Sequence, residues 1–184
     1  MTTLSIFAAD APGVPRYVTE DVGEIQSELD ARGVRFEQWA TRPMPDDAAP
    51  EDILEAYAEE VQKLKAESGF QAADVISLSP GNPQKEALRQ KFLDEHRHSE
   101  DEVRFFVRGQ GLFYLHIGEE ILAVLCQKND LISVPDGTPH WFDMGPEPSF
   151  TCIRLFTNTE GWVANFTGND IASRTPRYEK LAGA

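Results

Sequence analysis

From about residue 92 onward the chain is a succession of short β-rich runs: KFLDEHRH, EVRFFVRG, GLFYLHIG, EILAVLCQ, DLISVP, HWFDM and FTCIRLF. Turn signals separate them at Gln110-Gly111, Gly118-Glu119, Lys128-Asn129-Asp130 and Gly145-Pro146. Several short strands at regular spacing predict an antiparallel sandwich or barrel, because closing the sheet removes exposed edges. No internal repeat or low-complexity block interrupts the pattern.

The first half reads differently. Residues 19–32, TEDVGEIQSELDAR, predict a helix capped by Thr19 and stopped by Gly33, with Ile25 and Leu29 four apart. MPDDAAPED is a loop by its Pro and Asp content. Ile53, Tyr57, Val61 and Leu64 then recur at helical spacing through about residue 66. DVISL at Asp74–Leu78 is a candidate strand, and QKEALRQ a helix of one to two turns. At 184 residues one domain is expected, able to bury roughly 70% of its unfolded surface. The expectation is a mainly β fold with flanking helices: a helical part over about 1–91, then an antiparallel barrel over about 92–172, which a jelly roll of cupin type is one of the few ways to build. The tail after Ile171 has little apolar pattern and is left to wrap the barrel or fray.

Two spaced motifs lie within the β-rich half. His96, His98, Glu102 and Gly109 follow H-x-H-x3-E-x6-G, and Pro135, Gly137 and His140 follow P-x-G-x2-H. Residues two apart on a strand point to one face, so His96 and His98 present two imidazoles together. Glu102 adds a carboxylate from the next strand, and the Pro135–Gly137 turn brings in His140. Three neutral nitrogens and one oxygen suit Fe, Ni, Co, Mn or Zn, and suit Ca or Mg poorly. H-x-H alone is a weak signal, but seven fixed positions coincide by chance about once in a billion starts. Three of the four histidines fall in the pattern; His116 stands apart and reads as an ordinary strand residue.

Charge excludes some partners. The formal net charge is −14 with no Lys/Arg cluster, so nucleic-acid binding is not expected. No run approaches the length of a membrane span, and the N-terminus lacks a signal peptide's basic and apolar regions, so a soluble cytoplasmic protein is expected. Cys126 and Cys152 sit in apolar runs and read as buried thiols, with a disulfide between them left open. An anionic substrate would need local cations to enter so acidic a protein.

The two motifs are those of the cupin superfamily, and their surroundings resemble the acireductone dioxygenases of methionine salvage. NPQKEALR, HSEDEVRFFVRG, NDLISVPDGTPHWFDMG and EGWVANFTGNDIAS carry the resemblance, strongest from about residue 82 to 172, with GVRFEQW a weaker match upstream. Two positions depart from the general cupin pattern: its leading Gly is Asn129 and its closing Asn is Met144. The resemblance implies that His96, His98, Glu102 and His140 hold one Fe(II) or Ni(II) per chain. The implied reaction joins 1,2-dihydroxy-3-keto-5-methylthiopentene with O2. With Fe(II) it gives formate and 4-methylthio-2-oxobutanoate; with Ni(II) it gives formate, CO and 3-methylthiopropanoate. A monomer is implied. The alternatives are a cupin isomerase or epimerase, separated by its lack of O2 uptake, and a non-enzymatic binding module, which has no need of a complete ligand set.

Further site residues follow from strand alternation. Arg104 shares a face with Glu102 and is expected at the substrate oxygens, where a fixed cation favours the dianion. Arg154, in mid-run, is expected to be paired or to line the pocket. Phe142, on the face of His140, and Trp162 are candidates to wall the thioether chain. Glu95 and Asp101 flank the ligands and should point away from the metal, where they either orient the ligand histidines, assist metal loading, or are simply solvated acids.

Overall fold

The structure is a computed structural model that describes residues 1–99, 101–157 and 163–183. The N-terminal part is mixed rather than helical. It holds β1 (Thr3–Ala8), β2 (Tyr17–Thr19), α1 (Val22–Asp30), β3 (Arg35–Gln38), α2 (Pro50–Ala56), α3 (Ala58–Ser68), β4 (Ala72–Leu78) and α4 (Lys85–Leu93). After it come β5 (His96–Arg97), β6 (Glu102–Ile117), β7 (Glu120–Gln127), β8 (Asp130–Val134), β9 (His140–Asp143), β10 (Ser149–Phe156) and β11 (Asn165–Phe166). Two short helices, α5 (Ile171–Arg174) and α6 (Tyr178–Leu181), end the chain. None of the described helices is long and apolar enough to cross a membrane.

All pairings are antiparallel, and β6 is their hub. Its first half pairs β8 and β10; its second half pairs β7 and β9. The turn expected at Gln110-Gly111 is absent, and β6 runs straight through it. Gly109 allows this. It sits at φ 69°, where a Cβ would lie 1.8 Å from the Ser149 carbonyl oxygen, so the strand bends there and serves both halves of the barrel.

Side chains of β6 alternate between three apolar clusters. Phe106, Phe113 and Leu115 join Leu4, Val124, Ile132, Phe142 and Phe150 inside the barrel. Val103, Phe105 and Val107 face outward and are covered by Ile53, Tyr57, Val61 and Leu64 of the α2–α3 segment. Leu112 and Tyr114 meet Trp141, Ile171 and Ala172. Each such side chain contributes about 1.5–3 kcal/mol by burial. The tail therefore wraps. Arg89 of α4 reinforces it, reaching Asp143 at 2.8 Å and Glu179 of α6 at 2.9 Å.

Local details adjust the helix expectations. Asp21 rather than Thr19 caps α1, accepting from the Glu24 backbone N–H at 2.9 Å; the Thr19 hydroxyl instead donates to the Glu24 carboxylate. The helix expected over 53–66 breaks at Tyr57, whose ring meets Phe105 edge-on at 5.6 Å while its hydroxyl accepts from Arg42 N–H at 2.7 Å. The strands β1, β2 and β3 had no local signal strong enough to reveal them. β1 and β3 pair with strands far away in sequence, as Thr3↔Leu125 and Phe36↔Ile132 illustrate, and among the described residues β2 pairs only with β1. Cys126 and Cys152 are both buried and free.

Candidate metal centre

β5 is only two residues long; it carries His96, and His98 follows directly after it. His96 and His98 are buried while Arg97 between them is exposed. His96 lies directly opposite His140 of β9. The turn that delivers His140 is tied down on both sides. Gly137, at φ 74°, donates its N–H to the His98 carbonyl at 3.1 Å, and Asp136 N–H donates to Asp101 Oδ1 at 2.8 Å.

Each ring is oriented by a backbone carbonyl. The Nδ1 atoms of His96, His98 and His140 meet the carbonyls of Asp94 (2.8 Å), Val163 (3.1 Å) and Thr138 (2.8 Å). A carbonyl only accepts, so Nδ1 carries the proton and Nε2 presents its lone pair. One ligand atom from each of the three rings lies within 4.8 Å of the others.

Glu102 closes the set from β6. Its Oε2 lies 3.4 Å from His98 Nε2 and 3.7 Å from His140 Nε2, while Oε1 accepts from Arg104 Nε at 2.6 Å. Both Glu102 Oε2 and His140 Nε2 are buried without a hydrogen-bond partner. Leaving such atoms orphaned costs about 1–3 kcal/mol each, more for a charged group. A divalent cation between them removes that cost, so the residues fit a metal.

The electrostatics agree. Burial pushes the Glu102 carboxyl up, but Arg104, His140 and His98 outweigh it and bring its pKa down to about 2. Burial lowers His140 to about 3 against the opposing pull of Glu102, and burial also lowers His96. Near neutral pH His96 and His140 are thus neutral and Glu102 is ionised, the protonation states that bind metal.

A cavity of about 480 Å³ opens onto this centre. Its polar side is Lys91, His96, His98, Arg104 and Arg154; its apolar side includes Leu88, Phe92, Phe156 and Phe166. A larger hollow of about 880 Å³ beside Arg16 and Arg174 contains none of the converging imidazoles.

The expected accessory residues divide. Arg104 is buried at the cavity, its guanidinium carbon 5.1 Å from the Phe113 ring centroid and 5.3 Å from that of Phe142. Arg154 both lines the cavity and grips Asp74 through two bonds of 2.9 and 2.5 Å. Phe142 lies one layer behind, packed on Phe113 and Phe150 beneath Arg104 rather than on the cavity wall. Trp162 lies outside the described residues. Among the described residues, neither flanking acid hydrogen-bonds to a ligand ring. Asp101 holds the Asp136 turn, and the buried Glu95 carboxylate meets His116 and Thr167. Sequence reasoning missed the cavity residues Leu88, Phe92, Phe156 and Phe166. Of these Phe156 alone carried a signal, being two residues beyond Arg154 on the same strand face.

Residues 16–164 match the ARD/ARD' family. The chain is 68% identical to the acireductone dioxygenase of Marinobacter nauticus, covering 100% of this chain and 99% of that one. It is 63% identical to the acireductone dioxygenase of Hahella chejuensis, over 98% of both chains. Among solved structures it is similar to the acireductone dioxygenase from Bacillus anthracis with a cadmium ion in its active centre. There the TM-score is 0.78 at 30% identity, over 90% of this chain and 98% of that one.

Proposed function

Since the chain belongs to the ARD/ARD' family, the acireductone dioxygenases of methionine salvage, we propose that His96, His98, Glu102 and His140 hold one catalytic Fe(II) or Ni(II) ion. The observation that carries this reading is the convergence of three imidazoles on an orphaned carboxylate oxygen, with two of those imidazoles, His96 and His98, lining the cavity. When bound, such an ion supplies a Lewis acid and a template for an electron-rich enediolate.

The chain's own residues do the rest. Arg104 and Arg154 set positive charge beside the substrate oxygens, favouring the ionised enediol. Arg104 is fixed in place by Glu102 and by the rings of Phe113 and Phe142, so it needs no reorganisation when the substrate arrives. The apolar side, with Phe92, Phe156 and Phe166, suits the methylthio end and orients the molecule with its oxygens toward the histidines. Phe142 acts from behind by packing on Arg104. All four ligands come from one chain, which supports a monomeric enzyme. Two free buried thiols suit a reducing compartment, and we place the enzyme in the cytoplasm.

Stripping the protein and reloading it separately with Fe(II) and Ni(II) tests the metal assignment. The expected products with acireductone and O2 are formate and 4-methylthio-2-oxobutanoate from the first form, and formate, CO and 3-methylthiopropanoate from the second. A preference of about 1.4 kcal/mol between two routes already shifts their ratio tenfold. Identical products from both forms would contradict the reading.

A further inference from the structure

The fourth histidine is tied to every segment that bears a ligand imidazole. His116 N–H donates to the Pro139 carbonyl at 2.9 Å, next to His140. Its Nδ1 lies 2.6 Å from Glu95 Oε2, next to His96. The other oxygen, Glu95 Oε1, accepts from the Thr167 hydroxyl at 2.6 Å, and the Glu95 carbonyl accepts from Thr167 N–H at 3.1 Å. Thr167 ends the strap of residues 163–167. This strap contributes the Val163 carbonyl that orients His98, and Ala164 and Phe166 that line the cavity. Phe166 pairs with His96 across β11 and β5, and their rings meet edge-on at 6.0 Å.

We propose that His116 is a positioning residue: through Glu95 it clamps the 163–167 strap, and with it one wall of the cavity, against the strand that carries His96. The physical reason lies in Glu95, whose carboxylate is 3% exposed with both oxygens occupied. A buried carboxylate is tolerated only while its oxygens are satisfied. Without the imidazole, Glu95 must draw water or turn outward, and either movement loosens its hold on Thr167. Besides this link, the strap is held among the described residues by the Val163–His98 bond and the two-residue pairing of β11 with β5. Val163 is 61% and Phe166 59% exposed, and β11 spans two residues.

The test compares His116→Phe, which fills the space without a donor, with His116→Asn, whose amide can still donate to Glu95. Amide hydrogen exchange on the full chain reads the strap directly. The Thr167 amide should exchange about tenfold faster or more in the Phe variant, with β7 amides unaffected and the Asn variant close to wild type. On metal-loaded enzyme, KM for acireductone should rise about tenfold in the Phe variant, more than kcat falls, and should recover in the Asn variant. The kinetic arm rests on the dioxygenase reading and the exchange arm does not. Loss of turnover in every form, wild type included, would count against that reading alone. An unchanged Thr167 amide in the Phe variant, or an Asn variant no closer to wild type, would overturn the clamp. If the Phe variant does not fold, Thr167→Val cuts the same link from the strap side. It should give the same faster exchange, and wild-type exchange there would overturn the proposal.

Discussion

His96 and His140 are directly opposed cross-strand partners, with ring centroids 4.5 Å apart and each Nδ1 bonded to the carbonyl two residues upstream. The same short-range device thus sets both rings, on β5 and on β9, and leaves both Nε2 atoms free for one ion. Neither ring depends on a distant acidic partner for its orientation.

Glu102 adds the only negative charge among the four proposed ligands. Glu102→Gln keeps the shape but removes that charge and strands the Arg104 guanidinium in a buried site. Even changes to residues behind a ligand cost roughly 10–100-fold in metal affinity or activity, so this one should cost more. Metal titration of the stripped variant checks it; an affinity within twofold or so of wild type would remove Glu102 from the set.

Arg104 gives a prediction with a pH signature. Arg104→Ala should lose roughly 10²–10³ in kcat, the scale seen when a fixed electrostatic stabiliser is removed. Activity should partly return as pH rises and the substrate ionises without help. A pH–rate profile checks this, and a loss of equal size at every pH would contradict the assigned role.

The metal-free protein should lose stability as pH falls. His140 has a folded pKa of about 3 because burial disfavours its cation, below its usual 6.5. Between those values the unfolded chain binds the extra proton, so stability declines with acidification through that window. Glu102 at about 2, below its usual 4.5, acts in the same direction: its contribution is present above 4.5 and is lost as pH falls toward 2. Thermal melts of stripped protein across pH check the slope. His140→Gln should flatten it between about pH 6.5 and 3, and an unchanged slope would contradict the assignment.

Gly109→Ala tests the hub of the fold. The new Cβ would meet the Ser149 carbonyl oxygen at 1.8 Å from a backbone at φ 69°. A loss of about 2 kcal/mol or more is expected, from strain added to the displaced β10 strand. Denaturant unfolding checks it. Gly118→Ala is the comparison: its φ is 60° but nothing lies within 4 Å of its Cβ position, so it should cost less.

The site was more legible than the scaffold, for physical reasons. Ligand spacing is local: alternation on a strand and one tight turn suffice to predict that His96, His98, Glu102 and His140 converge. Asn129 stands where the general cupin pattern has Gly. It adopts φ 86°, a conformation Asn tolerates better than most residues, and its side chain accepts from Thr41 at 2.7 Å. Met144, the other departure, is buried in the barrel core. What stayed hidden was non-local. The pairing of β1 with β7 and of β3 with β8 joins segments roughly a hundred residues apart. The partners of the ligand rings are backbone carbonyls, which leave no mark on residue type. The Glu95 carboxylate meets His116, a strand residue with no surrounding motif to mark the pairing.

The most direct measurement of the central claim is metal content together with oxygen uptake, on wild-type protein, His140→Ala and His116→Ala, each stripped and then reloaded with Fe(II). The account predicts about one ion per chain and acireductone-dependent O2 consumption for wild type. His140→Ala should hold no stoichiometric metal and consume no oxygen above background, while His116→Ala keeps its metal. Stoichiometric metal and wild-type turnover in His140→Ala, or oxygen uptake by the stripped wild type, would contradict it.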